Sequence, residues 1–183
     1  MNLYAIFLRG VNVGGVKVLM KDLAALLQDA GFTQVRTLLA SGNVVLGSEE
    51  ADPSRVKETV EQALRERYGR DIPVIVQDGE QLGRIVAEYP FKSPDDGIQR
   101  HEYLVLTGNE QDAAEVLGSA PEPAATERAA RLGHAICWEV PRGESLKTPL
   151  AKHFTKVASR TLVTTRNMNT IGRIHLAMQS PTP

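Results

Sequence analysis

Val35-Arg36-Thr37-Leu38-Leu39-Ala40-Ser41-Gly42-Asn43-Val44-Val45-Leu46 reads as two short strands around a tight turn. The flanks carry β-branched and aliphatic residues, and Ser41-Gly42-Asn43 has the composition of a hairpin connection. A hairpin joins antiparallel neighbours, so a simple alternation of strand and helix in one parallel sheet is not expected here.

The neighbouring segments complete a pattern around that hairpin. Upstream, Leu3 to Leu8 is an apolar run of the kind that forms a strand buried on both faces. Met20, Leu23, Leu26, Leu27 and Ala30 then recur at helical spacing, and Gly31 is placed to end that helix. Downstream, Asp52-Pro53 supplies an N-cap and a first-turn proline. Val56, Val60, Ala63 and Leu64 give the buried stripe and Gly69 the stop. Ile72 to Val76 is the next strand, with Pro73 near its start or at an edge because proline donates no ladder hydrogen bond. The order is β-α-β-β-α-β, the ferredoxin-like arrangement with antiparallel sheets.

Asp78 and Gln81 form a capping box for a connecting helix that carries Leu82, Ile85 and Val86 and stops at Pro90. After the loop 90–97 the order repeats. Glu102 to Thr107 is a strand and Glu110 to Leu117 a helix. Thr126 to Leu132 and Ala135 to Val140 flank a Gly133-His134 hairpin. Leu150, Phe154 and Val157 mark a helix, Leu162-Val163-Thr164 a strand, and Met168, Ile171, Ile174 and Met178 a last helix. The expectation is an α+β protein of two subdomains, 1–90 with its connecting helix and 97–183 with an extra C-terminal helix, packed as one compact unit. The tail Gln179 to Pro183 is expected to lack order.

Composition is that of an ordinary globular chain: 183 residues, 42% hydrophobic, 23% charged, formal charge −1. The charge is unevenly spread. Residues 1–48 hold four basic and two acidic side chains, 49–127 eight and eighteen, and 128–183 nine and two. A local positive field at the two ends is therefore compatible with an acidic pI. Cys137 is the single cysteine, which excludes an intramolecular disulfide and a cysteine-based zinc site. It lies between Ile136 and Trp138 and reads as a buried, inert thiol. Met1-Asn2-Leu3-Tyr4 lacks the pattern of a signal peptide and no apolar stretch approaches a membrane span, so no membrane partner and a cytoplasmic location are expected.

Three stretches carry chemistry. Leu8-Arg9-Gly10-Val11-Asn12-Val13-Gly14-Gly15-Val16-Lys17 links a strand to a helix and brackets three glycines with cations. Such a loop can aim several N–H groups at an anion. It fails the strict phosphate-loop test, because Val16 separates Gly15 from Lys17 and no Ser or Thr follows. The plain alternative is a glycine-rich turn in which Asn12 bonds its own backbone. Thr164-Thr165-Arg166-Asn167-Met168-Asn169-Thr170 leads into the last helix, where Thr165 or Asn167 serves as cap. A cation at a helix start is unfavourable, so Arg166 either reaches an internal carboxylate or joins in holding an anion. Arg142 to Pro149 adds Lys147 ahead of another helix, and solvated lysines explain it equally well.

Other chemistries find no support. His101, His134, His153 and His175 share no metal-ligand spacing. No serine lies in a nucleophile elbow. Base stacking of the RNA-recognition type needs sheet aromatics, and Val44-Val45-Leu46 has none. Trp138 is the one exception, and core packing accounts for it.

Taken together, Leu8 to Gly15, Ser41-Gly42-Asn43-Val44-Val45, Pro90-Phe91 and Thr164 to Thr170 resemble the bacterial family known as domain of unknown function 1697. Two departures stand out: Met168 where the family has tryptophan, and Ser145-Leu146-Lys147 in place of an adjacent Ser-Lys. The resemblance implies two interlocked ferredoxin-like subdomains. It supplies no established reaction, so no catalytic residue is carried over from it; no cofactor and no metal are expected.

The expected function is binding of a small anionic ligand, phosphate-bearing or nucleotide-like. The expected site joins Arg9, Asn12, Gly14 and Gly15 with Ser41, Gly42 and Asn43, and with Arg166, Asn167, Asn169 and Thr170. The alternative is a protein or RNA interaction module that uses ferredoxin-like sheet faces.

Overall fold

An uninterrupted apolar strand is stable only when both of its faces are covered. In the computed structural model, β1 (Asn2–Leu8) meets that condition, with Tyr4 through Leu8 buried. The structure describes residues 1–12, 16–92 and 94–180. The expected tail therefore falls partly outside them: Gln179 closes a helix, and 181–183 are not among the described residues.

Helix α1 (Met20–Asp29) turns Leu23 and Leu27 inward. The hairpin follows as β2 (Thr33–Leu38) and β3 (Asn43–Ser48). Its first strand ends two residues earlier than expected, because Leu39 takes φ +61° and opens the turn. Helix α2 (Pro53–Tyr68) is capped by the Asp52 side chain, which accepts from the Ser54 N–H at 2.9 Å, and is stopped by Gly69 at φ +66°.

Strand β4 (Val74–Asp78) starts two residues later than the sequence suggests. Pro73 has no N–H to offer the ladder, and its carbonyl instead accepts from the Arg9 N–H at 3.0 Å. The ladder begins with Leu8 opposite Val74. The sheet order is β2-β3-β1-β4 and every pairing is antiparallel. Tyr4, Ile6, Leu8, Val44, Leu46 and Val74 share one core with Leu23 and Leu27 of α1 and Val56, Val60 and Leu64 of α2.

Helix α3 (Gly79–Ala87) begins where the Asp78 carboxylate accepts from the Gln81 N–H at 2.7 Å, half of the expected capping box. The second set is β5 (Arg100–Thr107), α4 (Glu110–Gly118), β6 (Arg128–Leu132), β7 (Ala135–Pro141), α5 (Pro149–Val157) and β8 (Val163–Asn167), followed by α6 (Met168–Gln179). Gly133, at φ +58°, and His134 make the two-residue turn between β6 and β7. This sheet runs β6-β7-β5-β8, again antiparallel throughout. Val105, Ile136, Trp138, Val140 and Val163 share a core with Ala113, Val116, Leu150, Phe154 and Val157. The other faces of the central strands are covered too: Ala5, Phe7, Val45, Leu104, Leu106 and Cys137 have no exposed surface.

The chain divides into two compact units, Met1–Arg84 with the residues from Gly172 on, and Ile85–Ile171. Most of α6, expected as an addition to the second half, thus groups with the first unit. Within that unit Arg36 donates through Nη2 to the Ala177 carbonyl and, at 3.3 Å, to the Ser180 carbonyl. A guanidinium at the C-terminal end of a helix is favoured by the helix dipole.

Candidate functional site

The loop after β1 is tied to the hairpin turn by its own backbone and by one side chain. The Leu8 N–H donates to the Gly42 carbonyl at 2.8 Å. Asn12, at φ +59°, donates through Nδ2 to the carbonyls of Ala40 (2.8 Å) and Val18 (3.0 Å), and its Oδ1 accepts from the Val18 N–H at 2.8 Å. Gly42 lies against Leu8 and Val11 so closely that a Cβ would come within 2.9 Å of the first and 2.7 Å of the second. Two of the three expected stretches therefore meet.

Their amides, however, serve the backbone. Asn43 is fully buried and its Nδ2 donates to the Leu38 carbonyl (3.0 Å) and to Ser41 Oγ (2.9 Å). The plain reading of Asn12, an asparagine bonding its own loop, is the one the geometry shows. Gly14 and Gly15 lie outside the described residues.

What this end of the first unit does offer is a hollow of about 210 Å³ beside Arg9 and Gly10, with Arg70, Asp71, Ile72 and Pro73 on its other wall. Two arginines line it. The single carboxylate there, Asp71, is engaged by Arg65 at 2.5 Å. Arg70 and Asp71 were not among the expected site residues. Only the β1–β4 register, which sets Leu8 opposite Val74, brings residues 70–73 beside Arg9, and no local motif announces that pairing.

The third stretch belongs to the second unit, and half of it is strand. Strand β8 continues to Asn167, with Arg166 opposite Leu104, so Arg166 does not occupy the first turn of a helix as the sequence suggested. The conflict with the helix dipole is removed by this one shift in boundary. Arg166 donates through Nη1 to Thr164 Oγ1 (2.6 Å) and to the Thr165 carbonyl (3.0 Å), and burial pushes its guanidinium down to about 10. Asn167 Oδ1 accepts from the Asn169 N–H at 2.8 Å, the cap anticipated for it. Asn169 is exposed and Thr170 half-buried. Lys147 pairs with Glu144 at 3.2 Å on the surface.

Among the described residues no group of three or more His, Cys, Asp or Glu could hold a metal ion, and no helix is long and apolar enough to cross a membrane. Cys137 is buried, and burial pushes its thiol up to about 12. Trp138 is a core residue whose Nε1 donates to Glu127 at 2.9 Å.

Residues 1–138 match the family described as "Protein of unknown function (DUF1697)". The chain belongs to this family. Among solved structures, this family member is similar to the conserved bacterial protein SP0830 from Streptococcus pneumoniae, with a TM-score of 0.79 and 24% identity over 98% of this chain and 99% of that one. That likeness shows a shared fold. Comparison with the curated proteins found no match.

Proposed function

We propose that this protein binds a small anionic ligand, bearing a phosphate or carboxylate, at the hollow between Arg9 and Arg70. The observation that carries the reading is the placement of two guanidinium-bearing side chains, Arg9 and Arg70, on one cavity of about 210 Å³. Arginine suits this role because its planar fork matches a carboxylate or phosphate with two parallel hydrogen bonds. Gly10, at φ +70°, lets backbone approach the same space. Asn12, Gly42 and Asn43 then act as the frame that fixes the loop, and Arg9 and Arg70 as the groups that touch the ligand. In the first unit the central strands keep Tyr4 to Leu8 and Asn43 to Leu46 buried, which favours the hollow over that sheet as the binding surface.

Thermal shift against inorganic phosphate, nucleotides, sugar phosphates and a short single-stranded RNA tests this reading. A micromolar ligand at millimolar concentration stabilises the folded state by about 4 kcal/mol, a shift readily seen. Arg9→Ala is expected to weaken binding by about 1.5–3 kcal/mol, the range for a hydrogen bond to a charged group, while leaving the fold intact. Stabilisation by RNA alone, or an unchanged affinity in both Arg9→Ala and Arg70→Ala, would overturn it.

A further inference from the structure

The second unit holds a different cavity, of about 490 Å³, between α5 and the edge strand β8. Its size falls in the range of about 300–1,000 Å³ typical of small-molecule sites. No residue lining it carries a charge at neutral pH. Its floor is aromatic. Tyr103 stacks on Trp138 with ring centroids 5.1 Å apart, and Phe154 meets Trp138 edge-on at 5.3 Å. The indole is pinned from below: its Nε1 donates to Glu127, whose carboxylate also accepts from Thr148 Oγ1 at 2.5 Å. A ring surface held in this way is ordered before any ligand arrives, which lowers the entropy lost on binding.

The polar groups around this floor are hydroxyls. Thr155 donates to the Ala151 carbonyl at 2.9 Å and Thr164 accepts from Arg166 at 2.6 Å. Those of Tyr103, Ser145 and Thr165 make no hydrogen bond to any described residue, and all three line the cavity. Leu146 stands at the mouth with 83% of its surface exposed. Walls without charged groups offer an ion no counter-charge, and an aromatic floor with several hydroxyls suits a flat ring with donors and acceptors on its edge.

From this geometry we infer that the second unit binds an uncharged, planar ring compound against the Tyr103 ring, which is itself stacked on the buried Trp138, at a site separate from the anion hollow of the first unit. Trp138 is the only tryptophan in the chain, so its fluorescence reports on this floor alone. The probes are adenosine and benzamide as planar rings, with cyclohexanecarboxamide as the puckered counterpart of benzamide. The expected result is a saturable change in Trp138 emission with at least one planar probe and a response at least ten-fold weaker with the puckered one. Tyr103→Phe keeps the stacked ring and removes one hydroxyl, and should weaken binding about 2- to 10-fold, the loss of one neutral hydrogen bond. Ala158→Phe, which fills the cavity from the end of α5, should abolish the response in a protein whose circular dichroism is unchanged. Absence of a saturable response to both planar probes, equal binding of the two amides, or a full response in folded Ala158→Phe would overturn the inference. Should Ala158→Phe fail to fold, the contrast between the two amides and the Tyr103→Phe ratio decide it.

Discussion

A methyl group at position 42 would lie 2.7 Å from Val11 Cγ2 and 2.9 Å from Leu8 Cβ, in a residue whose φ is +74°. Both the contact and the backbone conformation oppose a side chain there. Gly42→Ala should therefore destabilise the protein by about 1–3 kcal/mol, read as a lower urea midpoint with an unchanged slope. The sequence marked this glycine as a turn residue, but its role as the seat of the neighbouring loop depends on a contact that composition does not reveal. The apolar neighbours of Cys137 mark it as a buried thiol, and the structure shows it buried. With its thiol held at about 12 by burial, it carries almost no thiolate at pH 8, and the disulfide reagent DTNB should react with it only after denaturant is added. Rapid labelling of the native protein would contradict that.

Caps and hairpins were legible where a short polar signal fixes local backbone, as at Asp52-Pro53, Asp78 to Gln81 and Gly133-His134. Strand ends were less so, because a ladder stops where its partner stops. Strand β8 runs to Asn167 since β5 still offers Tyr103 there, and β4 waits for Val74 since Pro73 cannot donate. For the same reason no local signal in the sequence sets Arg70 and Asp71 beside Arg9. Ion pairs between strands are a further feature of pairing. Glu139 on β7 is fully buried and accepts from Arg128 on β6 at 2.8 and 2.9 Å, with Arg100 on β5 3.2 Å away. Arg100 also donates to both oxygens of Asp96, at 2.8 and 2.6 Å, just ahead of β5. These hydrogen bonds hold the Asp96 carboxyl well below its ordinary value near 3.8. A carboxylate depressed in the folded state contributes stability that is complete above its unfolded value and lost as pH falls toward the folded one. Wild type should accordingly be more stable than Asp96→Asn at pH 6, and the two should converge as the pH is lowered below about 4. Denaturant midpoints across that interval check it, and a gap that stays constant with pH would contradict it.

The two β-α-β-β-α-β sets were foreseeable from element order, yet the grouping of α6 was not. Its apolar spacing said only that Ile171, Ile174 and Met178 face inward, and helical periodicity does not say into which core. From Gly172 on, the chain belongs with residues 1–84. Truncation after Ile171 should thus damage the first unit, removing buried Ile174 and Met178 at about 1.5–3 kcal/mol each and leaving Arg36 without its Ala177 and Ser180 carbonyls. Hydrogen exchange should rise in β2 and β3, and unchanged protection there would contradict the assignment. The same grouping has a consequence for biosynthesis. A ribosome delivers residues in order, and domains generally fold as they emerge, the N-terminal one first. Here residues 85–171 are all delivered before residue 172 arrives, so the second unit is complete as a sequence while the first still lacks a segment. Translation thus inverts the usual order for these two units: the one that begins first is completed last, when α6 leaves the tunnel.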